Sequence, residues 1–198
     1  MKYFLPSLPL AGLLFLSACS SSTTEVHRDT QPIVGLRDAS VQFIVDNTRK
    51  LPASGTFDWG FTLFRVEHLP NVNLSAADKL IHECMKAGME KKGFTMTEKD
   101  PEFLVSFAVT TGAGLDEKTL NAAYEGAEQP LPIASVGNGQ PLQYRRGTLI
   151  VDIVQAKTKH LLWRGAITAE IDLTLGEDQK RLRCEGAVGE LLKHYPKP

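Results

Sequence analysis

Hydrophobic and polar positions alternate along several short stretches of the chain and recur at intervals of three and four in two longer ones. Val41-Gln-Phe-Ile-Val45 alternates, with Val41, Phe43 and Val45 on one face. Thr56 to Val66 carries Phe57, Trp59, Phe61 and Leu63 at period two. Both patterns predict strands, joined by the turn-like Pro52-Ala-Ser-Gly55. Leu80, Ile81, Cys84 and Gly88 recur at helical spacing. They predict a helix with Ser75 as N-cap, Asp78 three residues on, and an end at Lys91-Lys92-Gly93. Phe103, Val105, Phe107 and Val109 then form the apolar face of another strand, placed just after Pro101, where a missing N–H does least harm.

From Thr110 to Arg146 the pattern weakens. Glu117 to Ala127 is read as a short helix, and Pro130, Pro132, Gly137, Gly139 and Pro141 punctuate the rest. A connection of this length is functional or mobile. Order returns at Gly147, where Leu149, Val151 and Ile153 share a face and Asp152 takes the other. Leu161 to Leu173 alternates again. Leu161, Trp163, Ile167, Ala169 and Ile171 point inward, and Arg164, Thr168, Glu170 and Asp172 outward. That division predicts an antiparallel strand with one wet face. Opposing Asp152 to Arg164 also opposes Ile153 to Trp163 and Val151 to Gly165, which keeps the apolar faces together; a slip of one residue would expose Trp163. The Asp152–Arg164 pair is expected at the surface, contributing about 0.2–1 kcal/mol. A last helix over about 178–194 puts Cys184, Ala187, Val188 and Leu191 on one stripe and ends at Pro196. Strand, strand, helix, strand, hairpin, helix predicts an α+β fold over residues 39–198: one antiparallel β-sheet with two α-helices packed on one face.

The first 38 residues have a different character. Lys2 is followed by the apolar run Tyr3 to Leu16, interrupted by Pro6 and Pro9. A membrane-spanning helix needs about 20 apolar residues, so this run is too short and too broken to be one. It reads as a signal peptide over residues 1–18. Leu16-Ser17-Ala18-Cys19 resembles the bacterial lipobox: an aliphatic residue, two small ones, then a cysteine that takes the lipid. Cys19 is therefore the predicted lipidation site, and no other cofactor is expected. Acyl chains contribute about 0.8 kcal/mol per buried methylene, so two or three anchor a protein durably. Ser20 to Thr24 opens a flexible polar tether over residues 19–38. Ser20, where an aspartate would favour inner-membrane retention, points to the outer membrane, with the domain facing the periplasm.

Charge and composition narrow the rest. The chain has 22 Lys+Arg against 23 Asp+Glu, a formal net charge of −1, which gives nucleic acid no basic surface. Once Cys19 is lipidated, Cys84 and Cys184 remain. Each lies on the buried stripe of a predicted helix, and both readings of the pair, a disulfide or two buried free thiols, stand. There is no Cys-x-x-Cys, and His82-Glu83-Cys84 lacks the second histidine of a zinc helix, so no metal site is assigned. The other histidines, His27, His68, His160 and His194, belong to no nucleophile or metal constellation. No Gly-x-Ser-x-Gly elbow occurs, and Thr111-Gly-Ala-Gly114 and Gly137-Asn-Gly139 lack the Lys-Ser/Thr of a phosphate loop. No catalytic residue is assigned. Trp59 and Trp163 are read as core anchors.

Tyr144-Arg-Arg-Gly147-Thr-Leu-Ile-Val-Asp152 followed by Leu161-Leu-Trp163-Arg164-Gly165 resembles the bacterial lipoprotein family of the domain of unknown function 4136. Thr56-Phe-Asp-Trp59 is similar to that family's early strand. Lys92-Gly-Phe94 followed by Pro101-Glu-Phe-Leu-Val105 is similar to its helix end and next strand, and Tyr195-Pro196 to its close. Glu102 stands where the family usually has Asp, and Gln155 where a second Asp is common. The resemblance implies a fold and an envelope location, and marks Trp59, Gly147, Asp152, Trp163, Arg164 and Gly165 as structural positions. The expected function is a non-catalytic binding or structural role in the cell envelope, held to the bilayer by Cys19 and engaging a protein or glycan partner. The alternative is a periplasmic enzyme or small-ligand carrier with its site under the 110–146 loop.

Overall fold

The computed structural model describes residues 36, 39–45, 51–66, 72–111, 135–136, 140–141 and 147–195. The signal peptide, Cys19, most of the tether, His68 and the 117–127 helix lie outside these residues. The strands are β1 (Ser40–Val45), β2 (Gly55–Arg65), β3 (Phe94–Met96), β4 (Phe103–Thr110), β5 (Ser135–Val136), β6 (Gln140–Pro141), β7 (Gly147–Gln155) and β8 (Leu161–Ala169). The helices are α1 (Leu74–Lys91) and α2 (Glu177–Lys193). Six strands form one sheet in the order β1-β8-β7-β4-β2-β3, and β5 and β6 form a separate two-stranded ladder. The fold is α+β, with both helices contributing to one apolar core on one face of the sheet.

The sheet is mixed where an antiparallel one was expected. β1, β8, β7 and β4 pair antiparallel in turn, but β2 runs parallel to both β4 and β3. The reason is the crossover: α1 carries the chain from the end of β2 back to the end where β2 began, so the strands that follow run in the same sense. β1 and β2, read as neighbours across Pro52–Gly55, are separated by three strands. β1 pairs with β8, where its apolar alternation meets Trp163 and Ile167 and places Phe43 opposite Gly165.

α1 starts two residues earlier than Ser75 implies. Asn73 is its N-cap, with Oδ1 accepting from the Ala76 N–H at 3.0 Å. It ends as the lysines and glycine predict, with Gly93 at φ +92°. Along β2 the register shifts between Trp59 and Thr62. This bulge reverses the alternation: Phe57 and Trp59 face the helices, as does Phe64, whereas Phe61 joins Leu104, Val154 and Leu161 on the opposite face. A second shift, between Ile153 and Val154, moves Leu161 to that face as well, so it does not line up with Trp163.

The β7–β8 register is the expected one: Asp152 faces Arg164, Ile153 faces Trp163 and Val151 faces Gly165. The pair is not at the surface, however. Asp152 and Arg164 are each 2% exposed, among buried Ile150, Val154, Leu162 and Ala166. Gly147 to Val154 is apolar on both faces apart from Thr148 and Asp152, the pattern of a strand covered on both sides. Asp152 pairs with Arg164 and Thr148 with Thr168, which is why polarity did not mark solvent.

Candidate functional site

One end of the sheet opens into an apolar groove. The strands that converge there supply Phe64 from β2, with Val66 just after it, Val109 from β4, Leu149 from β7 and Ile167 from β8. The first turns of α1 add Leu74, Ala77 and Ile81, and α2 adds Cys184 and Ala187. The groove, open to solvent, has a volume of about 270 Å³. Leu36, Glu170 and Arg183 are shared with an adjoining hollow of about 420 Å³ that also reaches Leu182. Among the described residues the exposed large hydrophobics are Leu74, Ile171, Leu173 and Leu182, and all four line these two hollows. The polar groups here are engaged locally: an Arg183 N–H donates to the Glu170 carbonyl, and Thr148 and Thr168 share a hydroxyl hydrogen bond of 2.9 Å.

The alternation in β8 had placed Ile171 in the core. The strand stops at Ala169, whose partner Gly147 is the first residue of β7, so Ile171 has no β7 residue opposite it and stands at the groove rim. Leu173 and Leu182 carried no signal that separates an exposed leucine from a buried one. Only the termination of the pairing makes them a surface.

The positions marked by the family resemblance are packed or paired within the fold. Arg164 Nε and Nη2 donate to Asp152 Oδ1 and Oδ2, each at 2.6 Å, a bidentate pair. Trp163 is fully buried against Tyr195, with centroids 5.8 Å apart, and its six-membered ring lies over Gly165: a Cβ there would sit 2.2 Å from Trp163 Cη2. Gly147 would likewise meet Ile171. Trp59 stands edge-on to His82 at 4.4 Å. The two departures from the family pattern also serve the fold. Glu102 Oε2 accepts from the Thr56 N–H at 2.8 Å, and Gln155 Oε1 accepts from the Thr158 hydroxyl at 2.9 Å in the β7–β8 turn.

Cys84 and Cys184 are brought together. Both are free thiols, close enough across the α1–α2 seam to shift each other's titration, and Cys184 Sγ lies 3.8 Å from the Leu80 carbonyl. The neighbouring Cys184 holds the Cys84 thiol below its ordinary value, and the same contact together with burial pushes Cys184 well above. His82 lies among the rings of Trp59 and Phe107, with Nδ1 3.0 Å from the Asp78 carbonyl, and His194 stacks on Phe43. Among the described residues no group of three or more His, Cys, Asp or Glu side chains is placed to hold a metal ion. No described helix is long and apolar enough to cross a membrane.

Comparison with known proteins gives one sequence match. The family model of the domain of unknown function DUF4136 covers residues 46–197. No curated protein matches. Among solved structures, the chain is similar to a PelC dodecamer from Paraburkholderia phytofirmans, at 8% identity and a TM-score of 0.43, over 81% of this chain and 99% of that one. A PDZ domain protein from Parabacteroides distasonis aligns at 14% identity and a TM-score of 0.37, over 71% of this chain and 32% of that one. Scores this low bear on neither the activity nor the assembly of the present chain.

Proposed function

The chain belongs to the DUF4136 family, and on that premise we propose that it is a lipid-anchored, non-catalytic binding protein of the bacterial envelope. The observation that carries this reading is the groove: four exposed large hydrophobics gathered on two adjoining hollows. Contiguous exposed apolar surface is unfavourable in water and marks a place where something else is bound. The lining favours an apolar segment of a protein partner over a glycan, whose hydroxyls would lose water and gain few hydrogen bonds. Leu36 lies in the wall shared by both hollows, so the N-terminal stretch joins the fold beside the groove. Between Cys19 and Leu36 the chain reaches at most about 60 Å, which keeps the groove close to the bilayer. Lipidation at Cys19, with Ser20 after it, supports an outer-membrane anchor with the domain facing the periplasm.

A second reading has one observation in its favour. The groove volume of about 270 Å³ approaches the size of a small-molecule site, which suits a carrier of an apolar ligand. A photo-crosslinking residue at Leu173 or Leu182 of the full-length protein in cells separates the two. The binding reading expects an adduct with one envelope protein and none from the exposed Thr62. An adduct with a lipid or other small molecule alone sinks it in favour of the carrier. Cys19→Ser should move the protein from the membrane to the soluble fraction or leave it unprocessed; a processed, detergent-requiring Cys19→Ser protein would refute the anchor.

A further inference from the structure

We propose that Cys84 and Cys184 are joined by a disulfide that staples α1 to α2, formed by exchange with an external disulfide donor. The two helices run side by side in the same direction, and their contacts fall in register. The Arg181 guanidinium donates to Glu83 Oε2 at 2.8 Å, and Lys92 Nζ lies 3.4 Å from the Tyr195 carbonyl. The thiols lie between these two ties, with Cys184 Sγ 3.8 Å from the Leu80 carbonyl, one turn before Cys84. One turn after each cysteine, side chains of α2 press on the bare backbone of α1: a Cβ on Gly88 would lie 2.8 Å from Val188 Cγ1 and 2.7 Å from Leu192 Cδ1. A disulfide needs this kind of approach, with Cα atoms about 4.4–6.8 Å apart.

Exposure sets the order of events. Cys84 is 4% exposed, whereas Cys184 is partly exposed and lines the apolar groove. An external disulfide therefore meets Cys184 first. Although burial and the neighbouring Cys84 disfavour its thiolate, Cys184 is the sulfur the donor can reach, and its deprotonated fraction attacks one sulfur of the donor, giving a mixed disulfide and releasing the donor's other sulfur as a thiolate. The Cys84 thiolate then attacks Cys184 Sγ, forming the internal S–S bond and expelling the second donor thiolate. The two cysteines lose two electrons and two protons, and the donor takes up both as a pair of thiols. An envelope location supplies such donors. The bond would fix the wall of the groove formed by Cys184 and Ala187.

The full-length protein, purified in detergent, is incubated with oxidised glutathione or with dithiothreitol, quenched by alkylation under denaturing conditions and peptide-mapped. The expected result is a linked Cys84–Cys184 peptide after oxidised glutathione, lost after dithiothreitol. Recovery of both cysteines as alkylated free thiols after oxidised glutathione overturns the proposal. Single variants test the order. Cys84→Ser should accumulate glutathione on Cys184, with no second thiol to displace it, and Cys184→Ser should leave Cys84 unmodified while folded. Glutathione on Cys84 but not on Cys184 would reverse the assigned roles.

Discussion

The two faces of the sheet are built on different physics. The helix-covered face is an apolar core in which Trp163, Tyr195, Phe57, Phe107, Met85 and Met89 are fully buried and the rings meet edge to face, as at Phe94–Tyr195 and Phe94–Phe103. The opposite face is equally dry around Asp152 but mixes aliphatic side chains with satisfied polar ones: the Asp152–Arg164 fork, the Thr148–Thr168 pair and Ser106, whose Oγ accepts from the Phe61 N–H at 3.1 Å. The first face is stabilised by area removed from water and tolerates adjustment. The second depends on its polar pairs, because breaking one leaves a buried group whose cost exceeds what the pair contributes. The tripeptide Trp163-Arg164-Gly165 serves both, with Trp163 and Gly165 on one side and Arg164 on the other.

The sharpest way to break the comparison is Arg164→Ala. It leaves the Asp152 carboxylate buried without its guanidinium, a loss of about 3–5 kcal/mol, or a fall in melting temperature on the order of 10 °C for a domain of this size. The double variant Asp152→Leu/Arg164→Met should recover most of that loss, since an apolar pair of similar volume in place of a buried ion pair is near neutral or stabilising. Thermal denaturation of the three proteins checks both. A loss under about 1 kcal/mol for Arg164→Ala would mean that the pair acts as the exposed contact its alternation suggested.

That reversal shows what the sequence could and could not reveal. The β7–β8 register was legible because a large indole, a glycine and two opposite charges fit together in only one alignment. The two helices were legible from three-and-four spacing, although Met85 and Met89, both fully buried in α1, went unnoticed beside Leu80 and Ile81. Sheet order was not legible, because alternation fixes which side chains share a face but not which strand lies alongside. The far-face positions of Phe61 and Leu161 were hidden by register shifts that no local period encodes. The groove was hidden for a related reason: Ile171 continues the alternation of β8 beyond the last residue that β7 can pair. The family resemblance marked Trp59, Asp152, Trp163 and Arg164 without saying why, and the geometry supplies the reason as packing and pairing.

On the helix face the corresponding test is Gly165→Ala. The added methyl would stand 2.2 Å from Trp163 Cη2 and 2.6 Å from Cζ2, and the indole is fully buried beneath Tyr195. Overpacking of this kind costs about 1–3 kcal/mol, because neighbouring side chains give way. The expected result is a smaller loss than for Arg164→Ala, with a shift in Trp163 fluorescence as the ring tilts. A variant as stable as the parent would mean that the glycine is there for the backbone of β8 and not for the ring.

The smallest effect expected is at Ser106→Ala, on the far face where β4 meets the β2 bulge. Ser106 Oγ fills the space that a Cβ on Gly60 would take, 2.1 Å from that position, and captures the Phe61 amide that the bulge removes from the ladder. The substitution keeps the volume nearly constant and removes one acceptor. A partly buried N–H is then left to find water, at a cost of about 1 kcal/mol. Because the loss is local, amide exchange is the better measurement: the Phe61 N–H should exchange several-fold faster while core amides such as those of Val105 and Val151 keep their protection. If Phe61 exchange is unchanged, the bulge is held by packing alone. If the core amides accelerate with it, the polar side of the sheet is as cooperative as the apolar side, and the two faces differ in composition but not in how they fail.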